Sequence, residues 1–234
     1  EENGQDGASG GSTWIASNNI FQNNSQIGFD IAGGGTFLED QFINNNHGGV
    51  RILNSNVVFE NNHVLFNVGQ GSEMNTPGVI IRKDNFYYDN PDYNDVIFRN
   101  NIINGNESTN SCTGYDRAMA AVTIQASGVL ISNNIITDNS SYRDCVGNNL
   151  DQCDTGAMLD NSSTDKTPDY TAINSGAGIS VRGKHVKILN NTIENNSATV
   201  KARYDYNNVM VAGGGLFLEG EKHIVKGNTI KNNS

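Results

Sequence analysis

The sequence predicts an all-β chain wound as a right-handed parallel β-helix of about seven coils, a solenoid whose repeats bury their apolar faces only against one another. Three observations predict it. Asparagine pairs recur along the chain, Asn18-Asn19, Asn61-Asn62, Asn100-Asn101, Asn133-Asn134 and Asn190-Asn191, with Gly227-Asn228 as a last copy. Two places after the second member of each pair stands an apolar residue: Phe21, Val64, Ile103, Ile136, Ile193 or Ile230. Short runs that open on a small residue and then carry apolar residues at nearly every second place precede the pairs, as in Gly49-Val50-Arg51-Ile52-Leu53.

The clearest copy is residues 178–196, GISVRGKHVKILNNTIENN. Ile179 and Val181 alternate with Ser180 and Arg182, the period of a strand with one buried face. Gly183 and Lys184 interrupt it, and a second alternation follows in Val186 and Ile188. Asn190-Asn191 then breaks the pattern, and Asn is the non-glycine residue that most readily takes the left-handed conformation of a sharp bend. Thr192, Ile193 and Glu194 make a third short strand, closed by Asn195-Asn196. Three short strands joined by bends make one coil. In the last copy Gly227 replaces the first Asn of the pair, an exchange that a left-handed position accepts. The second members, Asn19, Asn62, Asn101, Asn134, Asn191 and Asn228, then stack as an internal ladder, because a primary amide both donates and accepts.

In chain order, residues 1–9 are polar and Gly-rich and read as a loose arm. Residues 10–24 and 33–45 read as abbreviated coils. In the second of these, Gly35-Thr36-Phe37-Leu38-Glu39 stands as the first strand, and Phe42 suits the inward place of Phe21, although the pair before it is Asp40-Gln41. Residues 48–67 form a nearly ideal coil, and later coils begin at Gly78, Ala121, Gly178 and Gly215. Insertions at 68–77, 107–120, 140–175 and 197–213 leave after the third strand, so stacking places them side by side at one corner, the one at 140–175 being the largest. The repeat runs through nearly the whole chain, and 1–234 counts as a single domain.

The chain resembles the pectin-lyase-like superfamily in these repeats. It also resembles polymorphic outer-membrane proteins and similar surface adhesins, in the Gly-Gly-aliphatic motifs Gly48-Gly49-Val50 and Gly214-Gly215-Leu216 and in the Phe-x-x-Asn motifs that join Phe21 to Asn24, Phe42 to Asn45, Phe59 to Asn62 and Phe98 to Asn101. The resemblance implies a groove over the outward face of the first strands, walled by the corner insertions, where the pectin-lyase-like family binds extended polysaccharides. Carried onto this sequence, the groove floor is Arg82, Gln125, Arg182 and Glu219 in one outward column and Arg51, Thr123 and Ser180 in the other, with Tyr204 and Tyr206 on the last insertion. Insertions on one face of a repeat array are often its binding face.

Glycoside hydrolysis needs two carboxyl groups about 5 to 10 Å apart, and the outward columns near the middle of the stack offer none. The Asp-rich motifs of the polygalacturonase-like members are missing. Arg182 with Lys184 and His185 is the cluster that a lyase could use as base and as cation for a substrate carboxylate, yet outward Arg, Lys and His on a solenoid are usually just solvated. The favoured function is a non-catalytic extracellular or cell-surface β-helix, structural or adhesive, that presents loops to glycans or proteins. A polysaccharide lyase or epimerase of the pectin-lyase-like group is the alternative.

Composition narrows the partners. A net charge of -10, from 25 acidic and 15 basic residues, argues against nucleic acid. No apolar run is long enough to span a bilayer. No cofactor is expected apart from Ca2+, which the oxygen-rich stretch 144–154 could hold, although it lacks a fixed spacing of ligands. The 3 cysteines, Cys112, Cys145 and Cys153, lie in the large insertions, allow at most one internal disulfide, and suit an oxidising extracellular compartment. No CxxC motif or nearby His pair accompanies them to suggest zinc. Glycosylation sequons begin at Asn23, Asn106, Asn139, Asn161, Asn195 and Asn232, all but Asn161 at the exit of a coil, and Asn190 also matches but belongs to the internal column and should be hidden. Ser234 follows directly on a full coil, so the expectation is either a segment of a longer surface protein or copies that stack end to end into a filament.

Overall fold

The computed structural model describes residues 6–53, 56–70, 77–82, 95–111, 120–145, 171–174, 177–202, 208–211 and 214–234. Among these the regular elements are all strands and their pairings are parallel. Three sheets of 7 strands run the length of the molecule, and each coil gives one strand to each sheet. The coil read first from the sequence contributes Ile179–Lys184 to the first sheet, Lys187–Leu189 to the second and Thr192–Glu194 to the third. The chain is a right-handed parallel β-helix.

Sharp bends between such short strands require left-handed backbone. Before the third sheet it falls on Asn18, Glu39, Asn61, Asn100, Asn133, Asn190 and Gly227, with φ from 55° to 70°. After the third sheet it falls on Asn23, Asn44, Phe66, Gly105, Asp138, Asn195 and Asn232, with φ from 53° to 65°. An ordinary L-residue there costs about 1–2 kcal/mol, which explains the preference for Asn and Gly. Phe66 is held in this conformation above Gly105, where a Cβ would lie 2.5 Å from its ring.

Inside the coils, equivalent residues lie above one another. Ala16, Phe37, Phe59, Phe98, Ile131 and Ile188 form a column on the second sheet, and Phe21, Phe42, Val64, Ile103, Ile136 and Ile193 one on the third. Because neighbouring strands are about 4.8 Å apart, some aromatic neighbours in a column stack face to face: Phe59 lies 5.2 Å from Phe98 at 2°, and Phe21 lies 5.1 Å from Phe42 at 6°, whereas Phe37 is tilted by 40° against Phe59. The core is thin but dry.

At the corner between the second and third sheets the expected amide ladder is present. Asn62 donates from its backbone N–H and its Nδ2 to Oδ1 of Asn101, Asn101 does the same to Asn134, Asn134 to Asn191, and Asn191 to Asn228, at 2.8–3.2 Å. Asn19 begins the row through Asp40, a carboxylate at the place of an amide. A second ladder lies five residues further along each coil, at the exit of the third sheet: Asn24, Asn45, Asn67, Asn106, Asn139, Asn196 and Asn233, each donating to the next. These rungs supply the hydrogen bonds that the strand ladder cannot make where the chain bends away.

Three expectations change. Gly35–Leu38 belongs to the second sheet, in register with Trp14–Ser17 and Val57–Glu60; the first strand of that coil is Phe29–Ile31, short and with Asp30 at its centre, so it carries little alternation to read. The arm at 1–9 is already structured at Ala8 and Ser9, which with Gly10 pair with Phe29–Ile31 and open the first sheet. Finally, the corner insertions begin as strands. Val68–Gln70, Glu107–Ser111, Ser140–Cys145 and Ser197–Ala202 form a fourth parallel sheet, and Thr171–Asn174 pairs with Asn208–Val211. Polar residues such as those in Glu107–Ser111 give no apolar period, and the pairing comes from the second ladder, which delivers each chain to the corner in register.

Candidate functional site

The outward face of the first sheet is the surface that the sequence nominates. Its strands place residues of alternate parity outward, and coil stacking turns these into columns. Arg82 lies in register with Gln125, Gln125 with Arg182, and Arg182 with Glu219. The other column runs Asp30, Arg51, Ile80, Thr123, Ser180 and Phe217.

Both columns differ from an open groove floor. Thr123 and Ser180 keep only 4% and 3% of their surface, and Ile80 and Gln125 are buried as well. Outward residues in the middle of this sheet are thus shielded from water. The sequence rule that every second residue of a solenoid faces solvent fails here. Near the ends of the column the charges pair across coils. Arg51 binds Asp30 through Nε and Nη2, Nε lying 2.7 Å from Oδ1 and Nη2 on Oδ2. Arg182 Nε is 2.8 Å from Glu219 Oε2, with the guanidinium 6.0 Å from the Phe217 ring centre, and Lys184 Nζ is 3.0 Å from Glu221 Oε1. Glu60 with Arg99 on the second sheet and Glu194 with Lys231 on the third repeat the device.

This arrangement limits the chemistry of the candidate catalytic cluster. Arg182 and Lys184 sit on one face, two residues apart, and each is engaged by a carboxylate of the next coil. His185 is exposed at the bend that follows, at φ 56°. A general acid needs its carboxyl held protonated. Glu221 is biased the other way: the hydrogen bond and charge of Lys184 hold its carboxyl below the usual range, helped by the charges of Lys222 and His185. Asp30 and Glu219 lie five coils apart in the stack, roughly 24 Å at the strand spacing, too far to act as a glycosidase pair. Among the described residues no group of three His, Cys, Asp or Glu could hold a metal ion.

The remaining nominated positions divide in two. Asn23, Asn195 and Asn232 are exposed on left-handed bends, as a sequon that turns to solvent should be, and so is Asn190, against the expectation that it is hidden, because the buried rung is its neighbour Asn191. Asn106 and Asn139 are not. They are buried rungs of the second ladder, with Asn106 Nδ2 donating to Val64 O at 2.9 Å and Asn139 Nδ2 to Ile103 O at 3.1 Å, so neither amide is open to a glycan. Tyr204, Tyr206, Cys112, Cys153, Asn161 and residues 146–154 of the Ca2+ candidate lie outside the described residues. Cys145 ends the strand Ser140–Cys145 in register with Ala202, and its side chain too lies outside them.

Sequence reading missed the second ladder. Its signal is the constant offset of five residues: 24, 45, 67, 106, 139, 196 and 233 follow the rungs at 19, 40, 62, 101, 134, 191 and 228. The residue before it varies through Asn, Phe, Gly and Asp, so searching for pairs overlooks it. Comparison with family models, with curated proteins and with solved structures finds no match.

Proposed function

We propose that the chain is a non-catalytic β-helix of the extracellular or cell-surface kind, a rigid scaffold that presents its corner insertions to glycans or proteins, akin in build to the adhesin-type and pectin-lyase-like repeats. The observation that carries this reading is the pairing of charges on the candidate floor. Arg182 with Glu219 and Lys184 with Glu221 neutralise each other across coils, which suits a stacked scaffold and commits both cations of this set to a carboxylate of the next coil. The fourth sheet supports the same reading: four successive departures from the corner start in register, so the insertions emerge from a row with fixed strand spacing.

The test pairs a glycan array with turnover assays on uronate polymers, using the wild-type chain and Arg182→Ala. Binding to a defined glycan without product, unchanged in kind by the substitution, is expected. Unsaturated product from the wild-type chain that vanishes in Arg182→Ala would show instead a lyase of the pectin-lyase-like group, and inversion at C5 without unsaturation, lost in the same variant, an epimerase.

A further inference from the structure

The asparagine rungs between the ends of the first ladder, Asn62, Asn101, Asn134 and Asn191, follow one rule. In each, Oδ1 accepts from the rung before, and Nδ2 donates twice, to Oδ1 of the next rung and to a backbone carbonyl three residues before the preceding rung. Asn101 donates to Asn134 Oδ1 and to Phe59 O, and Asn134 to Asn191 Oδ1 and to Phe98 O. Asn62 donates to Asn101 Oδ1 and to Phe37 O.

Asp40 occupies a rung and cannot follow the rule as a carboxylate. Its Oδ1 behaves as an amide oxygen, accepting from Asn19 N at 2.9 Å and Asn19 Nδ2 at 2.8 Å. Its Oδ2 takes the place of the donor. By the rule of the asparagine rungs an amide at this place would donate to Asn62 Oδ1 and to Ala16 O, the oxygen that the register of Ala16 with Phe37 puts in the equivalent position, and Asn62 Oδ1 already receives the Asp40 N–H at 2.9 Å. The residue is fully buried and Oδ2 has no partner among the described residues. An ionised oxygen buried without a partner, at a place where the other rungs put a donor, is the most costly way to fill the site; a hydroxyl there can donate as the amides do.

We propose that Asp40 keeps its proton in the folded chain at pH values where an exposed Asp is ionised, and that its O–H takes the donor role of the missing amide, making the second rung a pH-sensitive clasp between the first three coils. Burial pushes its carboxyl above the ordinary range, against the lowering effect of the Asn19 hydrogen bonds. Residues 16–21 of the coil before carry no titratable side chain; Glu39 is exposed beside it, and the coil after offers Glu60, paired with Arg99, and exposed His63.

The sign follows from linkage. A group whose folded-state pKa is raised contributes its stability in full below the unfolded value, about 3.9 for Asp, and loses it as pH rises through the folded value. The wild-type chain should therefore melt at a lower temperature near neutral pH than in mild acid. Asp40→Asn restores the rule of the other rungs and has no proton to lose.

Two measurements test this together on the full chain. Thermal midpoints from about pH 4 to pH 8, spanning the range above the ordinary Asp pKa, should show Asp40→Asn above the wild type at the neutral end, with the gap closing toward acid. Infrared difference spectra between the two proteins at about pH 6, roughly two units above that pKa, should show a protonated carboxyl band in the wild type alone. A gap that stays constant or reverses, or a spectrum with only the ionised carboxylate, overturns the proposal, and either failure suffices.

Discussion

Replacing Asn134 by Ala is the sharpest test of how the coils are held. Its side chain accepts from Asn101 N at 2.9 Å and Asn101 Nδ2 at 3.0 Å, and donates to Asn191 Oδ1 at 2.8 Å and Phe98 O at 3.1 Å. Truncation leaves the backbone N–H of Asn101 and one of its amide protons unpaired in a dry corner, whereas Asn191 Oδ1 still receives Asn134 N. At about 1–3 kcal/mol for each orphaned buried donor, the loss is about 2–6 kcal/mol. The neighbouring Asn133→Ala is the control: its side chain is exposed and only its left-handed backbone suffers, by about 1–2 kcal/mol at most. Urea unfolding followed by circular dichroism gives the global difference. Native-state hydrogen exchange at Asn101 N–H reads the local one, which matters because coils stabilise one another mainly as nearest neighbours. If Asn134→Ala costs no more than Asn133→Ala, the ladder is decoration and buried amide hydrogen bonds do not hold the corner.

Two further outcomes follow from close approach and burial. Gly183→Ala should lower stability by about 1–3 kcal/mol in urea, because its Cβ would lie 1.9 Å from Ala126 O and force two coils apart; Gly11→Ala, with nothing within 4 Å, should change it by less than about 0.5 kcal/mol, and equal effects would contradict the packing. Peptide mapping of folded chain secreted from a glycosylating host should find sugar, where present, at Asn23, Asn190, Asn195 or Asn232 and not at Asn106 or Asn139, since an N-linked sugar replaces an amide proton that the buried rungs use; occupancy at either rung would refute their burial.

The sequence was most legible where one residue answers one local demand. Left-handed bends ask for Asn or Gly, inward places ask for Phe, Ile or Val, and both demands recur with every coil, so the first ladder and the third-sheet column from Phe21 to Ile193 can be read from spacing alone. Reading failed where tertiary pairing replaced local pattern. Phe29–Ile31 is three residues long and is a strand because Ala8–Gly10 and Val50–Ile52 flank it. Glu107–Ser111 has no apolar period and is a strand because Val68–Gln70 and Ser140–Cys145 pair with it on either side.

The candidate floor shows the same division. That Arg82, Gln125, Arg182 and Glu219 share a column follows from the repeat, because strands stacked in register must align their outward residues. That Thr123 and Ser180 are shut away from water, or that Arg182 commits its charge to Glu219, depends on what lies across from each side chain. The sequence by itself determined the coil, its bends and the stacking of like on like, since these are set by backbone sterics and side-chain period. Only the tertiary structure decided which polar groups are exposed, paired or buried, and hence that Asn106 is a rung and Asp40 a rung out of place, because burial and hydrogen bonding belong to a neighbour many residues away.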